Sequence, residues 1–113
     1  MIEHRPWGTY QVLLDEPYYK VKRIVILPHQ QLSLQYHHHR EEHWTVVKGS
    51  GKIRVGDEVK EATVGSRWVI EKEQTHRATA GEEHLVFIEV QLGDCIEDDI
   101  VRLEDQYGRI VEK

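Results

Sequence analysis

Short runs rich in β-branched residues, cut by glycine or proline about every ten residues, constrain this chain more than any other feature. Residues 21–27 form such a run and stop at Pro28. Residues 32–37 follow with alternating character, and 44–47 lead into the turn signal Gly49-Ser50-Gly51. A new run starts at 52–55, Gly56-Asp57 marks the next turn, and Gly65 precedes 67–70. Gly81-Glu82 then introduces the longest run, 84–91. Only 97–113 reads as a place for a helical turn, ended near Tyr107-Gly108-Arg109. Strands this short and this regularly interrupted predict an all-β antiparallel sandwich or barrel.

With 113 residues the chain is expected to be one domain, with an N-terminal arm over about 1–10 and a C-terminal extension over about 97–113. It has no low-complexity linker and no repeat of solenoid length. A formal charge of −5 argues against a nucleic-acid partner, whose phosphates select a basic face. No apolar run approaches the roughly 18 residues that cross a bilayer, and the polar start Met1-Ile2-Glu3-His4-Arg5-Pro6 does not read as a signal peptide. The lone Cys95 forms no internal disulfide, which fits a reducing cytoplasm. Exposed strand edges want covering, so a homodimer is expected.

The chain carries 8 histidines, and four of them are His37, His38, His39 and His43. On a strand, residues two apart face one side, which aligns Gln35 with His37 and brings His39 close to that face. Glu42 opens the next strand and can close back on them, while His76 arrives from a distant segment. Two imidazole nitrogens, one carboxylate and one amide oxygen suit a divalent ion of borderline hardness, such as Zn, Mn, Fe, Co or Ni. A lone histidine is more often a satisfied or exposed polar residue; the shared face and the remote His76 favour a metal site here. His38 reads as exposed or at a subunit contact, and His43 as structural.

These positions resemble the two motifs of the cupin superfamily. The first reads His29…Gln35-Tyr36-His37…Glu42…Gly49, with His29 in place of a glycine and Gln35 in place of a histidine. The second runs from Gly65 to His76, with Glu71, Glu73 and Ala80 where the pattern has proline, glycine and asparagine. The resemblance implies a double-sheet jelly-roll barrel. A closer one covers nearly the whole chain: it looks like the C-terminal cupin domain of type II mannose-6-phosphate isomerases, often fused to a mannose-1-phosphate guanylyltransferase. It is carried by Arg5-Pro6-Trp7-Gly8, by the stretch 32–40 with Glu42-His43-Trp44, by Ile88-Glu89-Val90-Gln91, and by the stretch 97–102. Type I phosphomannose isomerases bind zinc through glutamine, histidine, glutamate and histidine, the set this chain supplies, so zinc is the first expectation. No Gly-rich phosphate loop is present, and no guanylyltransferase activity is expected of these residues.

The activity so implied is interconversion of mannose 6-phosphate and fructose 6-phosphate, a proton shift between C1 and C2 through an enediol. It needs a base beside the carbons and positive charge near the developing oxyanion. Glu89 is one candidate base, because a carboxylate inside an apolar barrel has a raised pKa; it reads equally as the partner of Lys22 or Arg23 in a structural ion pair. His39 is the other. For the phosphate, Arg40 comes first, followed by Lys22, Arg77 and Arg102. Trp7, Trp44 and Trp68 read as core before they read as sugar-stacking platforms. Two other classes remain open: a non-catalytic sugar- or metal-binding module, and another metal-dependent cupin enzyme such as an oxygenase.

Overall fold

Alternation along three neighbouring strands builds the interior. In the computed structural model, which describes residues 1–96 and 98–108, the chain forms eleven strands and no helix among the described residues. They are β1 (Ile2–Arg5), β2 (Gly8–Glu16), β3 (Tyr19–Ile26), β4 (Leu34–Tyr36), β5 (Arg40–Lys48) and β6 (Gly51–Val55), then β7 (Glu58–Ala62), β8 (Arg67–Ile70), β9 (His76–Ala80), β10 (Leu85–Gly93) and β11 (Val101–Glu104). One sheet has the order β1-β2-β3-β10-β5-β8 and the other β11-β4-β9-β6-β7. Every pairing among these strands is antiparallel, as a double-sheet jelly roll requires.

The inward side chains divide the interior into two ends. From β3 they are Lys20, Lys22, Ile24 and Ile26; from β10 Leu85, Phe87, Glu89 and Gln91; from β5 Arg40, Glu42, Trp44 and Val46. Strand register then sorts them by polarity. Phe87 lies opposite Ile24 and Val46, and Leu85 opposite Ile26, so the apolar members gather at one end. Glu89 lies opposite Lys22, and Gln91 opposite Lys20 and Glu42, so the polar members gather at the other. Ile53, Ile70 and Ala78 from β6, β8 and β9 complete the dry end. Full burial of one such large apolar side chain stabilises the fold by about 1.5–3 kcal/mol, so the dry end supports a polar end that could not fold alone.

The turns are tight enough to dictate residue type. Gly49 has φ 79°, and a Cβ there would lie 1.9 Å from the His84 carbonyl oxygen, so only glycine fits. His29 and Glu73 also adopt left-handed backbone, at φ 62° and 63°. These are two positions where the motif pattern has glycine, so the turn shape persists although the residue has changed.

The expected helical turn in the tail is not present among the described residues. Val101–Glu104 is instead strand β11, because the edge of β4 offers free ladder positions that an alternating segment fills. A turn follows, closed by the Gly108 N–H donating to the Asp105 carbonyl at 3.2 Å. Glu97 and residues 109–113, including Arg109 of the expected helix end, lie outside the described residues. The first ten residues form β1 and the start of β2, with Trp7 between them buried in the core.

Candidate metal centre and adjoining cavity

At the polar end, His37, Glu42 and His76 bring one ligand atom each within 4.8 Å of one another, all three buried. Glu42 is inward on β5, His76 opens β9, and His37 follows β4 directly. Glu42 Oε2 lies 3.3 Å from His37 Nε2, and its Oε1 lies 3.6 Å from His76 Nε2.

Backbone carbonyls set both imidazole tautomers. His37 Nδ1 is 2.5 Å from the Asp99 carbonyl, and His76 Nδ1 is 2.9 Å from that of Gln74. A carbonyl only accepts, so each Nδ1 carries the proton and each Nε2 presents a lone pair. Burial, reinforced by the Arg40 charge, lowers the His37 pKa to about 3. Burial lowers that of His76 to about 4. Both rings are therefore neutral near pH 7, the form that binds metals. His76 Nε2 is buried without a hydrogen-bond partner among the described residues, an arrangement costly in a closed core and natural for a ligand. The three residues fit a divalent cation.

Gln35 stands beside them. Its Cα pairs with that of His76, its Oε1 accepts the Ser33 hydroxyl at 2.8 Å, and it lines a cavity of about 410 Å³. Lys22, Arg40, Glu89 and Arg102 line the same cavity, together with Arg5, Trp7 and Tyr10. Arg40 links cavity and centre: its Nε donates to Glu42 Oε2 at 2.9 Å, and its Nη2 donates to His37 Nε2 at 3.2 Å. At 6% exposure it is an internal cation of the cavity wall, because it is the first inward position of β5.

Glu89 is held from two sides. Trp44 Nε1 donates to Glu89 Oε1 and to Glu42 Oε1, both at 3.1 Å, and Gln91 Nε2 donates to Glu89 Oε2 at 2.8 Å. One indole N–H thus ties the cavity carboxylate to the cluster carboxylate. Burial, then the neighbouring Glu42 charge, pushes the Glu89 pKa up to about 7, against the pull of Lys22 and Arg40. Arg23, weighed as its ion-pair partner, is exposed on the opposite face of β3.

Two expectations do not reach the cavity. His39 is exposed, because the turn at 38–39 breaks the strand period that would have carried it inward. Arg77 takes the outward parity of β9 and donates to the carbonyls of Leu32 at 2.9 Å and Glu104 at 3.0 Å, tying β11 down. Trp44 is 1% exposed and packs on Phe87 with ring centroids 4.5 Å apart; of the three tryptophans only Trp7 lines the cavity.

Sequence reasoning missed Asp99. Its carboxylate accepts the backbone N–H groups of His38 and His39 at 2.9 and 2.8 Å, while its carbonyl orients His37. Burial raises its pKa, but the two backbone N–H donors outweigh that and hold it below the usual carboxylate range. The signal was present in the acidic Glu97-Asp98-Asp99 run, which reads as a solvated charge cluster until the fold brings it against the histidine turn.

Comparison with known proteins places this geometry in a family. Residues 2–105 match the family described as mannose-6-phosphate isomerase C-terminal. Xanthan biosynthesis protein XanB of Xanthomonas campestris pv. campestris (strain B100) is 47% identical over 108 residues, covering 94% of this chain and 23% of XanB. Mannose-1-phosphate guanylyltransferase ManC of Salmonella typhimurium is 42% identical over 109 residues, covering 95% of this chain and 23% of ManC. The chain thus spans about a quarter of the length of these relatives. Among solved structures, the cupin-2 domain Rru_A2000 of Rhodospirillum rubrum superposes with a TM-score of 0.69 at 22% identity, over 80% of this chain and 67% of that one. That likeness carries the fold, a cupin barrel. The match over residues 2–105 shows that this chain belongs to the mannose-6-phosphate isomerase C-terminal family.

Proposed function

We propose that this domain interconverts mannose 6-phosphate and fructose 6-phosphate with the help of one divalent cation, zinc first. The observation that carries this reading is the shared indole bond: a buried cavity carboxylate, Glu89, is tethered to the His37–Glu42–His76 group through Trp44. His37, Glu42 and His76 would hold the cation, and Gln35, paired with His76 across the strands, would be the fourth ligand. Once bound, the cation supplies Lewis-acid polarisation of the sugar oxygens.

The chain's own residues do the rest. Glu89, ionised, takes the proton from C2 of the open-chain aldose, leaving an enediolate; the hydroxyl proton passes from O2 to O1 and the same carboxyl returns its proton to C1, giving the ketose. Trp44 and Gln91 keep that carboxylate fixed in orientation, so little reorganisation accompanies the transfer. Arg40 donates into the cluster and lines the cavity, which places a fixed positive charge beside the reacting oxygens. Lys22 and Arg102 contribute further positive charge to the wall.

A coupled assay on mannose 6-phosphate, with and without added divalent metal, tests the reading. Turnover that depends on metal is expected. Glu89→Gln should lower kcat by about 10²–10⁴-fold while elemental analysis shows the metal retained. Tight sugar-phosphate binding without turnover in any metal would make the domain a binding module instead.

A further inference from the structure

We propose that Arg5 and Lys22, gathered over the ring of Tyr10, form the seat for the substrate's phosphate group. The proposal rests on the reading of this cavity as a sugar-phosphate site. All three residues line it. The Arg5 guanidinium carbon lies 5.0 Å from the Tyr10 ring centroid, and Lys22 Nζ lies 4.4 Å from the same centroid. Arg5 Nη2 also donates to the Tyr10 hydroxyl at 3.2 Å.

Two cations over one ring sit within about 10 Å of each other; the half-exposed Glu3 carboxylate, 4.0 Å from Arg5 Nη1, offsets part of that charge from the solvent side, and a phosphate on the cavity side adds a second anion to the pair. Arg5 presents a planar fork suited to phosphate oxygens, and Lys22 a point charge. The depth of each residue fits a substrate that enters phosphate-last. Glu89 and Lys22 are 5% and 4% exposed, whereas the Arg5 side chain is 39% exposed and marks the opening.

Strand order gives the distance. Glu89, Lys22, Tyr10 and Arg5 lie on β10, β3, β2 and β1, four consecutive strands of one sheet. Glu89 is opposite Lys22 and Tyr10 opposite Ile24, so two strand spacings and a two-residue offset, roughly 12 Å in all, separate the proposed base from Tyr10. An open-chain six-carbon sugar bound with C2 at Glu89 directs its terminal phosphate toward that ring. Arg40 is a poorer seat, since its guanidinium is engaged with Glu42 and His37 inside the barrel, whereas the partners of Arg5 Nη1, the His4 carbonyl at 2.7 Å and Glu3 at 4.0 Å, lie at the exposed edge.

The test titrates wild type, Arg5→Ala, Arg5→Lys and the distant surface variant Arg67→Ala with inorganic phosphate, mannose 6-phosphate and mannose. Tyr10 ring resonances report binding, and the coupled assay is run in parallel. Arg5→Ala should weaken phosphate and sugar-phosphate binding by roughly tenfold or more. KM should rise with kcat within about twofold. Arg5→Lys should recover part of the loss, and Arg67→Ala should match wild type. Arg5-dependent phosphate binding supports the seat even if wild type turns nothing over, in which case only the isomerase reading falls. Wild-type affinities in Arg5→Ala, or no phosphate binding by wild type, overturn the seat, whatever the turnover.

Discussion

At the scale of single residues, the site depends on protons being absent from the Nε2 atom of two rings and on their movement at one carboxyl. His37 and His76 each donate Nδ1–H to a carbonyl and turn an Nε2 lone pair inward, on His37 toward Arg40 Nη2 as well as toward the cluster. His37→Ala or His76→Ala should therefore strip most bound metal, as elemental analysis of purified protein reads directly; full occupancy in both variants would refute the assignment. Glu89 titrates with the opposite sign. Its pKa is raised from 4.5 to about 7, so the folded protein prefers the protonated form. The stability this contributes is present below about pH 4.5 and is lost as pH rises through 7. On the proposed role of Glu89 as base, activity requires the ionised form and should rise over that same upper limb. Glu89→Gln removes the dependence: it should match wild-type thermal stability at pH 5 and exceed it at pH 8. A Glu89→Gln variant with wild-type stability at both pH values would show that the carboxyl does not titrate in this window.

At the scale of elements, strand parity explains both what the sequence disclosed and what it hid. Glu42 and Glu89 could be placed inward because β5 and β10 keep strict alternation through them. The segment 67–70 was legible for the same reason, being β-branched, aromatic and bounded by Gly65. His39 was not, because a turn ends the period after β4, and Arg40 begins a new strand with its own parity. β7, read through as Glu-Val-Lys-Glu-Ala, lacks an apolar rhythm because it is an exposed edge strand held by pairing with β6. The turn at 37–39 is also where a remote residue matters most. Asp99 accepts two backbone N–H groups there, and charge-assisted bonds of this kind contribute about 1.5–3 kcal/mol each when buried, less at half-exposed positions. Its lowered pKa means that this stability is present above the unfolded value, near 3.8, and fades as pH falls through the folded one. Asp99→Asn should lower thermal stability at pH 7 by about 1–2 kcal/mol, with little difference from wild type at pH 2. It should also weaken metal binding, since the His37 carbonyl partner sits on the same residue. Unchanged stability and metal affinity would mean the turn holds its shape unaided.

At the scale of the whole molecule, the polar end of the barrel is paid for by the dry end, and the outer surface retains apolar area that neither end explains. No helix among the described residues is long and apolar enough to cross a membrane. On the outer face of the larger sheet, Leu14 pairs with Val21, and Tyr19 with Leu92, setting a row of side chains 39–43% exposed at Leu14, Tyr19 and Leu92. A contiguous apolar row on a sheet face is the kind of surface a second copy covers in a symmetric dimer. The homodimer belongs to the proposed reading on that ground. Sedimentation equilibrium should return twice the 13.4 kDa mass of the chain, and Tyr19→Glu combined with Leu92→Glu should return the single mass. Glutamates there cost the folded monomer little, since both positions already meet solvent, but would sit desolvated and facing like charges across a two-fold axis. A wild-type monomer at micromolar concentration removes the dimer altogether. A dimer indifferent to both glutamates moves the contact to an edge, where β1 has all four residues exposed.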